Sequence, residues 1–209
     1  MAIREALKSV WSPFMRTRVR NEPGRGHHED PANAPLPGVT LLSPPQFPDS
    51  RGSFRPLFAK RLHTPFQHPW AEMNLSHTEA GVIRGLHFQD PEPQAKLITV
   101  VSGTIFDVVV DLRPGPHFGR FETFTLSASD DAYPSQIYLP EGLAHGFATP
   151  DGPATIAYLV SRPWNPSTEK VLTWNDPLLQ IPWPLTREPL ISERDQAGKT
   201  LAQLFQKIR

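Results

Sequence analysis

Four polar side chains stand in apolar surroundings and need a reason to be there. His87 follows Arg84-Gly85-Leu86 in "RGLHFQ", Lys96 opens "KLITVV", His145 sits in "PEGLAHGF" and Tyr158 interrupts "TIAYLV". Taken singly, each has an ordinary explanation: a hydrogen-bonded core histidine, an edge-strand lysine, a core aromatic with its hydroxyl satisfied. Arg84 alone is a surface cation. Taken together they are chemically complementary. A base, a cation that holds an oxyanion and a phenol that delivers a proton form a set for proton abstraction beside a carbonyl. Asp107, inside the apolar run "TIFDVVVDL", adds a carboxylate that must be paired or face a cavity.

His87 leaves three readings open: core residue, metal ligand or base. The metal reading rests on "PEGLAH", which matches the second half of the cupin metal signature. The first half of that signature offers two histidines one residue apart and then a carboxylate. Here "HFQ" puts Gln89 where the second histidine would stand. Two imidazoles without a third ligand suit neither zinc nor iron, so no metal is expected. The pair His27-His28 lies in "GRGHHEDPANAPLPG", a charged, proline-rich setting in which a solvated pair is the simpler reading.

Spacing along the chain does not bring these groups together; the elements that carry them must. The stretch "KLITVVSGTIFDVVVDLR" has two β-branched runs flanking Ser102-Gly103, a hairpin signal. "FGRFETFTLSA", "SQIYLPEGLAHGFAT" and "ATIAYLVSR" follow, strands at the short spacing of a β-sandwich or barrel. "SERDQAGKTLAQLFQKIR" reads as one short helix capped by Ser192. The 25 prolines in 209 residues fit many strand ends and few long helices. Residues 1–37 read as a flexible N-terminal extension and residues 38–209 as one domain.

Composition excludes several classes. There is no cysteine, hence no thiol nucleophile, disulfide framework or thiolate metal site, as in a cytoplasmic protein. Basic and acidic residues balance at 21 each, so no net field favours nucleic acid or an anionic membrane. No apolar run reaches the roughly 18 residues of a membrane span. The start, "MAIREALKSVWSPFMRTRVR", lacks the roughly 7–15-residue apolar run of an export signal.

The series RGLH, QxK, FDVxVD, PEGxAHGF, WNDP and a late SxxD, in that order, resembles the dTDP-4-dehydrorhamnose 3,5-epimerase family. The resemblance runs from about Gly38 to Asp195 and leaves the extension outside. It implies an all-β, cupin-like jelly-roll sandwich with short flanking helices, a homodimer, and no metal or redox cofactor. It implies inversion of the carbons beside the 4-keto group of a nucleotide-linked 6-deoxy sugar. By position, His87 matches the family's base and Asp195 its paired carboxylate. Lys96 matches the cation for the enolate oxygen, and Tyr158 the phenol that returns a proton to the other face. His145 and Asp107 match polar residues of the same cavity, Arg51 and Arg84 diphosphate contacts, and Trp164 an aromatic that stacks on the base. Asn74, Gln89 and Glu72 complete the expected substrate-binding set.

Three departures from the family pattern stand out. Pro56 replaces a glutamate in "DSRGSFRP", Glu72 stands where glutamine is common, and Ala95 replaces a glycine before the lysine. The first two fall on the nucleotide side. A monoepimerase, a 3,4-ketoisomerase on another nucleotide sugar and a non-catalytic sugar-nucleotide binder are the alternatives.

Overall fold

The computed structural model describes residues 36–59, 68–129 and 134–205. The extension apart from Leu36 and Pro37, with its His27-His28 pair, lies outside the described residues. Two five-stranded antiparallel sheets face each other. The first has the order β1 (Thr40–Leu42), β9 (Gln136–Leu139), β6 (Lys96–Ser102), β11 (Ala154–Val160), β4 (Glu72–Thr78). The second has the order β12 (Glu169–Val171), β5 (Ile83–Gln89), β10 (Leu143–Ala148), β7 (Thr104–Asp111), β8 (Phe121–Ser127). A separate hairpin joins β2 (Phe47–Asp49) to β3 (Gly52–Phe54). From β4 to β12 the chain changes sheet at every connection except β7 to β8, the wiring of a jelly roll. No helix among the described residues is long and apolar enough to cross a membrane.

Alternation along the strands decides what each face carries. Ile98, Val100, Ile137, Leu139 and Ile156 of the first sheet meet Ile105, Val109, Leu126, Leu143 and Phe147 of the second in one buried cluster. Leu36 joins that cluster, and its N–H donates to Glu122 Oε1 at 2.8 Å. The intervening residues of the second sheet, Leu86, Val108, Val110 and Ala144, are buried on the opposite face under Leu172, Leu179, Ile181 and Leu201. Burial on both faces explains why "FDVVVDL" is almost continuously apolar. The covering segment is pinned by Asp176 of the WNDP motif. Its buried carboxylate accepts from the N–H groups of Leu178 (2.8 Å), Leu179 (3.2 Å) and Leu201 (2.6 Å).

Two local expectations are corrected. Ser102-Gly103 is not a hairpin: β6 pairs with β9 and β11, and β7 with β10 and β8. The turn carries the chain from one sheet to the other. Gly103 has φ +80°, and a Cβ there would lie 2.4 Å from Pro153 O. The glycine marks a turn but does not select the strand's partner, which long-range burial decides. The single C-terminal helix is in fact two short ones, α1 (Glu193–Gln196) and α2 (Leu201–Phe205). Between them the backbone turns to the sheet edge, where Lys199 N–H donates to Val171 O and Thr173 N–H to Lys199 O, both at 2.9 Å. Ser192 does cap α1, its hydroxyl accepting from Asp195 N–H at 3.2 Å.

Candidate active site

The inner faces that form the apolar core at one end carry polar groups at the other. His87 and His145 are cross-strand partners on β5 and β10, so their side chains share the inner face. The strands approach closely because two glycines face each other. A Cβ on Gly85 would lie 2.5 Å from Gly146 Cα, and one on Gly146 would lie 2.7 Å from Arg84 O. Gly85 also holds φ +120°, which L side chains rarely adopt. The glycine of RGLH is therefore what allows His87 to sit beside His145.

Each histidine meets a carboxylate. His87 Nε2 lies 2.7 Å from Asp195 Oδ1, while Gly85 N–H donates to Asp195 Oδ2 at 3.1 Å. Helix α1 presents this aspartate so that its two carboxylate oxygens each hold one group of β5. Burial raises the Asp195 carboxyl, but His87, the Gly85 N–H and Arg194 together outweigh it and hold the group below its ordinary value. His145 Nε2 lies 2.7 Å from Asp107 Oδ2. Asp107 is fully buried, and its Oδ1 has no hydrogen-bond partner among the described residues.

The first sheet supplies the opposing wall. Lys96 Nζ reaches across to His87 O at 3.4 Å. Burial pushes the Lys96 amine down to about 8, against the raising effect of the Glu169 and Asp107 carboxylates. Burial pushes the Tyr158 phenol up, and Asp107 adds to this, while the Arg84 guanidinium and the neighbouring Ser76 hydroxyl oppose it. Tyr158 and Asn74 are cross-strand partners on β11 and β4. His87, Asp195, His145, Asp107, Lys96 and Tyr158 therefore share one polar region.

The remaining expected residues are distributed around it. Arg84 reaches from the second sheet to the first, donating from Nε to Thr78 Oγ1 at 2.9 Å and from a terminal nitrogen to His77 O at 3.2 Å. Glu72 accepts from Asn74 Nδ2 at 2.6 Å and from Trp164 N–H at 3.4 Å. Trp164 is half exposed, and its indole N–H donates to Glu169 Oε2 at 2.5 Å. Gln89 is buried with both ends of its amide engaged by the backbone. It donates to Glu92 O at 3.1 Å and accepts from Asn165 N–H at 2.8 Å, so its role in these contacts is to hold two loops together. Arg51 sits on the β2–β3 hairpin, bonded to Asp49 at 2.7 Å, and no described contact joins it to the cavity. Among the described residues no three His, Cys, Asp or Glu side chains gather to hold a metal ion.

Glu169 was not singled out from sequence. It bonds both Trp164 and Arg194 and raises the Lys96 amine. The segment "NPSTEKV" carries no apolar contrast to draw attention to it. Its register opposite Gln89 on β5 is visible only once the sheet is assembled.

A jelly roll with a histidine–carboxylate pair set against a lysine and a phenol belongs to the cupin-like class. The chain matches the family model described as dTDP-4-dehydrorhamnose 3,5-epimerase over residues 33–203. It is 44% identical over 171 residues to the dTDP-4-dehydrorhamnose 3,5-epimerase of Neisseria gonorrhoeae, covering 80% of this chain and 51% of that one. It thus spans about half the length of that relative. It is 42% identical over 175 residues to the dTDP-4-dehydrorhamnose 3-epimerase of Streptomyces niveus, covering 80% of this chain and 82% of that protein. The crystal structure of the dTDP-6-deoxy-D-glucose-3,5-epimerase of Legionella pneumophila, in complex with dTDP-4-keto-L-rhamnose, superposes with a TM-score of 0.77 at 33% identity. That match covers 84% of this chain and 94% of the other. The chain belongs to the dTDP-4-dehydrorhamnose 3,5-epimerase family.

Proposed function

We propose that the chain is an isomerase that inverts C3 and C5 of a dTDP-linked 4-keto-6-deoxy hexose through enolates. The observation that carries the reading is the partly exposed His87, paired with Asp195 at 2.7 Å and with Lys96 Nζ 3.4 Å from its carbonyl oxygen. Imidazole removes the proton beside the carbonyl. Asp195 fixes the tautomer and stabilises the imidazolium. The Lys96 ammonium takes the charge that develops on the keto oxygen. Tyr158, kept protonated by burial, returns a proton to the other face. His145 and Asp107 form the rigid polar wall behind the sugar. Arg84, which has a nitrogen without a bond among the described residues, and Arg51 suit diphosphate oxygens. Trp164 offers a face for stacking, beside Glu72 and Asn74 of β4 and Gln89 of β5.

Residues 38–209 form the catalytic unit of this reading, with residues 1–37 an added arm and the cytoplasm its location. A homodimer is supported by the outer face of β4. Met73 and Leu75 there are 61% and 71% exposed, an apolar surface that a second copy would cover. Sedimentation as a monomer at micromolar concentration would remove that part of the proposal.

The test is NMR of dTDP-4-keto-6-deoxy-glucose incubated with the protein in D2O. Deuterium entering at both C3 and C5 is the expected result. Entry at C3 alone would assign the single-carbon reaction, which the Streptomyces niveus relative makes the specific second reading. Tight binding with no exchange would make the chain a binder and overturn the enzymatic reading.

A further inference from the structure

We infer that Ser76 and Thr78 are positioning residues for Tyr158, in a row of hydroxyls that runs along the inner face of β4 from Arg84 toward the phenol oxygen. The inference rests on the reading of Tyr158 as the proton donor. Tyr158 opposes Asn74, and Ile156 opposes Ser76, in the β11–β4 register. Ser76 is therefore the diagonal neighbour of Tyr158 on the same inner face, within reach of a long side chain. Ser76 Oγ lies 3.5 Å from Thr78 Oγ1, and Arg84 Nε donates to Thr78 Oγ1 at 2.9 Å.

The polarity of the chain follows from its far end. A guanidinium only donates, so Arg84 occupies Thr78 as an acceptor and leaves the Thr78 proton to turn toward Ser76. Ser76, receiving that proton's bond, directs its own toward Tyr158. The phenol oxygen thus accepts from behind, and its own O–H faces the cavity. When the Tyr158 O–H bond breaks and a C–H bond forms at the enolate carbon, the phenolate left behind already has a donor. Ser76 and Thr78 keep their protons throughout, and solvent water resets Tyr158 and His87. Thr78 is 1% exposed, so no bulk water substitutes for its hydroxyl. A buried phenol needs such support, because burial opposes the charged form most strongly.

The test separates proton removal from proton return. Loss of sugar deuterium in water, without change of configuration, reports removal and return on the same face; inversion reports delivery by Tyr158. Thr78→Val keeps the shape and removes the hydroxyl. It should lower inversion about tenfold, the low end for one hydrogen bond to a charged group, while exchange changes less than about twofold. Thr78→Ser should restore inversion. Ser76→Ala should reproduce the Thr78→Val pattern, which covers the case of a Thr78→Val protein that does not fold. Equal loss of exchange and inversion, unchanged inversion, or failure of serine to rescue would each overturn the inference. Tyr158→Phe in the same assay tests the underlying reading. Inversion surviving in that variant removes Tyr158 as the donor, whatever Thr78 does.

Discussion

The molecule holds two histidine–aspartate pairs of nearly identical geometry and very different surroundings. Both have Nε2 2.7 Å from a carboxylate oxygen. The His145–Asp107 pair joins neighbouring strands, with side chains 4% and 0% exposed. The His87–Asp195 pair joins a strand to a four-residue helix, and the His87 side chain is 29% exposed. A base must reach a substrate, so pairing alone does not make one. The difference teaches that accessibility, given by an aspartate borrowed from a covering segment, separates a histidine able to do chemistry from one that braces the wall. The buried pair is held by two sheet strands and cannot yield. The open pair depends on α1 staying docked, through Ser192 and the Gly85 N–H.

The largest effect that would break this contrast is loss of the open histidine. His87→Asn should lower deuterium exchange into the sugar by about three orders of magnitude, within the range for a general base. Exchange at the parental rate would move the base elsewhere, with His145 the first suspect. A crossed pair of variants follows in size. His145→Ala leaves the Asp107 carboxylate buried and unpaired, which should cost about 3–5 kcal/mol of folding stability in urea denaturation. Asp195→Asn changes a buried carboxylate but keeps an amide that can still hydrogen-bond there, and should cost about 1–3 kcal/mol, yet lower exchange about a hundredfold, the low end for acid–base catalysis, by spoiling the imidazole tautomer. If both variants lost stability and activity in the same proportion, the two pairs would not have separate roles.

The two pairs were unequally legible in the sequence. Asp107 declared itself as a carboxylate inside an apolar strand, because an ionised group there must have a partner. Its partner lies only one β-strand away, and both residues sit at regular alternation. Asp195 carries no such local sign. It lies 108 positions from His87 in an ordinary helix start, and only the resemblance of "SERD" to a family motif pointed to it. Fold class was readable from strand spacing, whereas sheet membership was not. Ser102-Gly103 has the same local chemistry whether its strands pair or part. Glu169, Ser76 and Thr78 stayed hidden for a related reason, since their value comes from neighbours on other strands. The C-terminal break at Gly198 was missed because helix propensity was weighed without the edge hydrogen bonds of Lys199.

Lys96 sharpens the contrast by a pH measurement. Its amine is held down to about 8 by burial, with Glu169 and Asp107 acting the other way. The ammonium is present below that value and is lost as pH rises through it. If it stabilises the enolate, kcat/KM should fall along an alkaline limb near pH 8. Lys96→Arg, whose charge persists above pH 12, should lose that limb while lowering the plateau. A limb that persists in the arginine variant would belong to another group.

The smallest expected effect concerns Glu72, on the sheet opposite the one that carries both histidines. Its carboxylate has two accepting oxygens, one taken by Asn74 Nδ2 at 2.6 Å and the other by Trp164 N–H at 3.4 Å. An amide offers only one accepting oxygen and an NH2 group that cannot accept. Glu72→Gln therefore keeps one of the two bonds and opposes a donor to a donor at the other. If the side chain keeps its contact with Asn74, the Trp164 loop loses a tether. If it keeps Trp164, Asn74 turns its amide. Either way the nucleotide end loosens while His87, Lys96 and Tyr158 stay in place. KM should rise about threefold, the low end for one neutral hydrogen bond, with kcat unchanged. A fall in kcat instead would place Glu72 in the proton-transfer machinery, and would mean that the polar region reaches one strand further than the two pairs define.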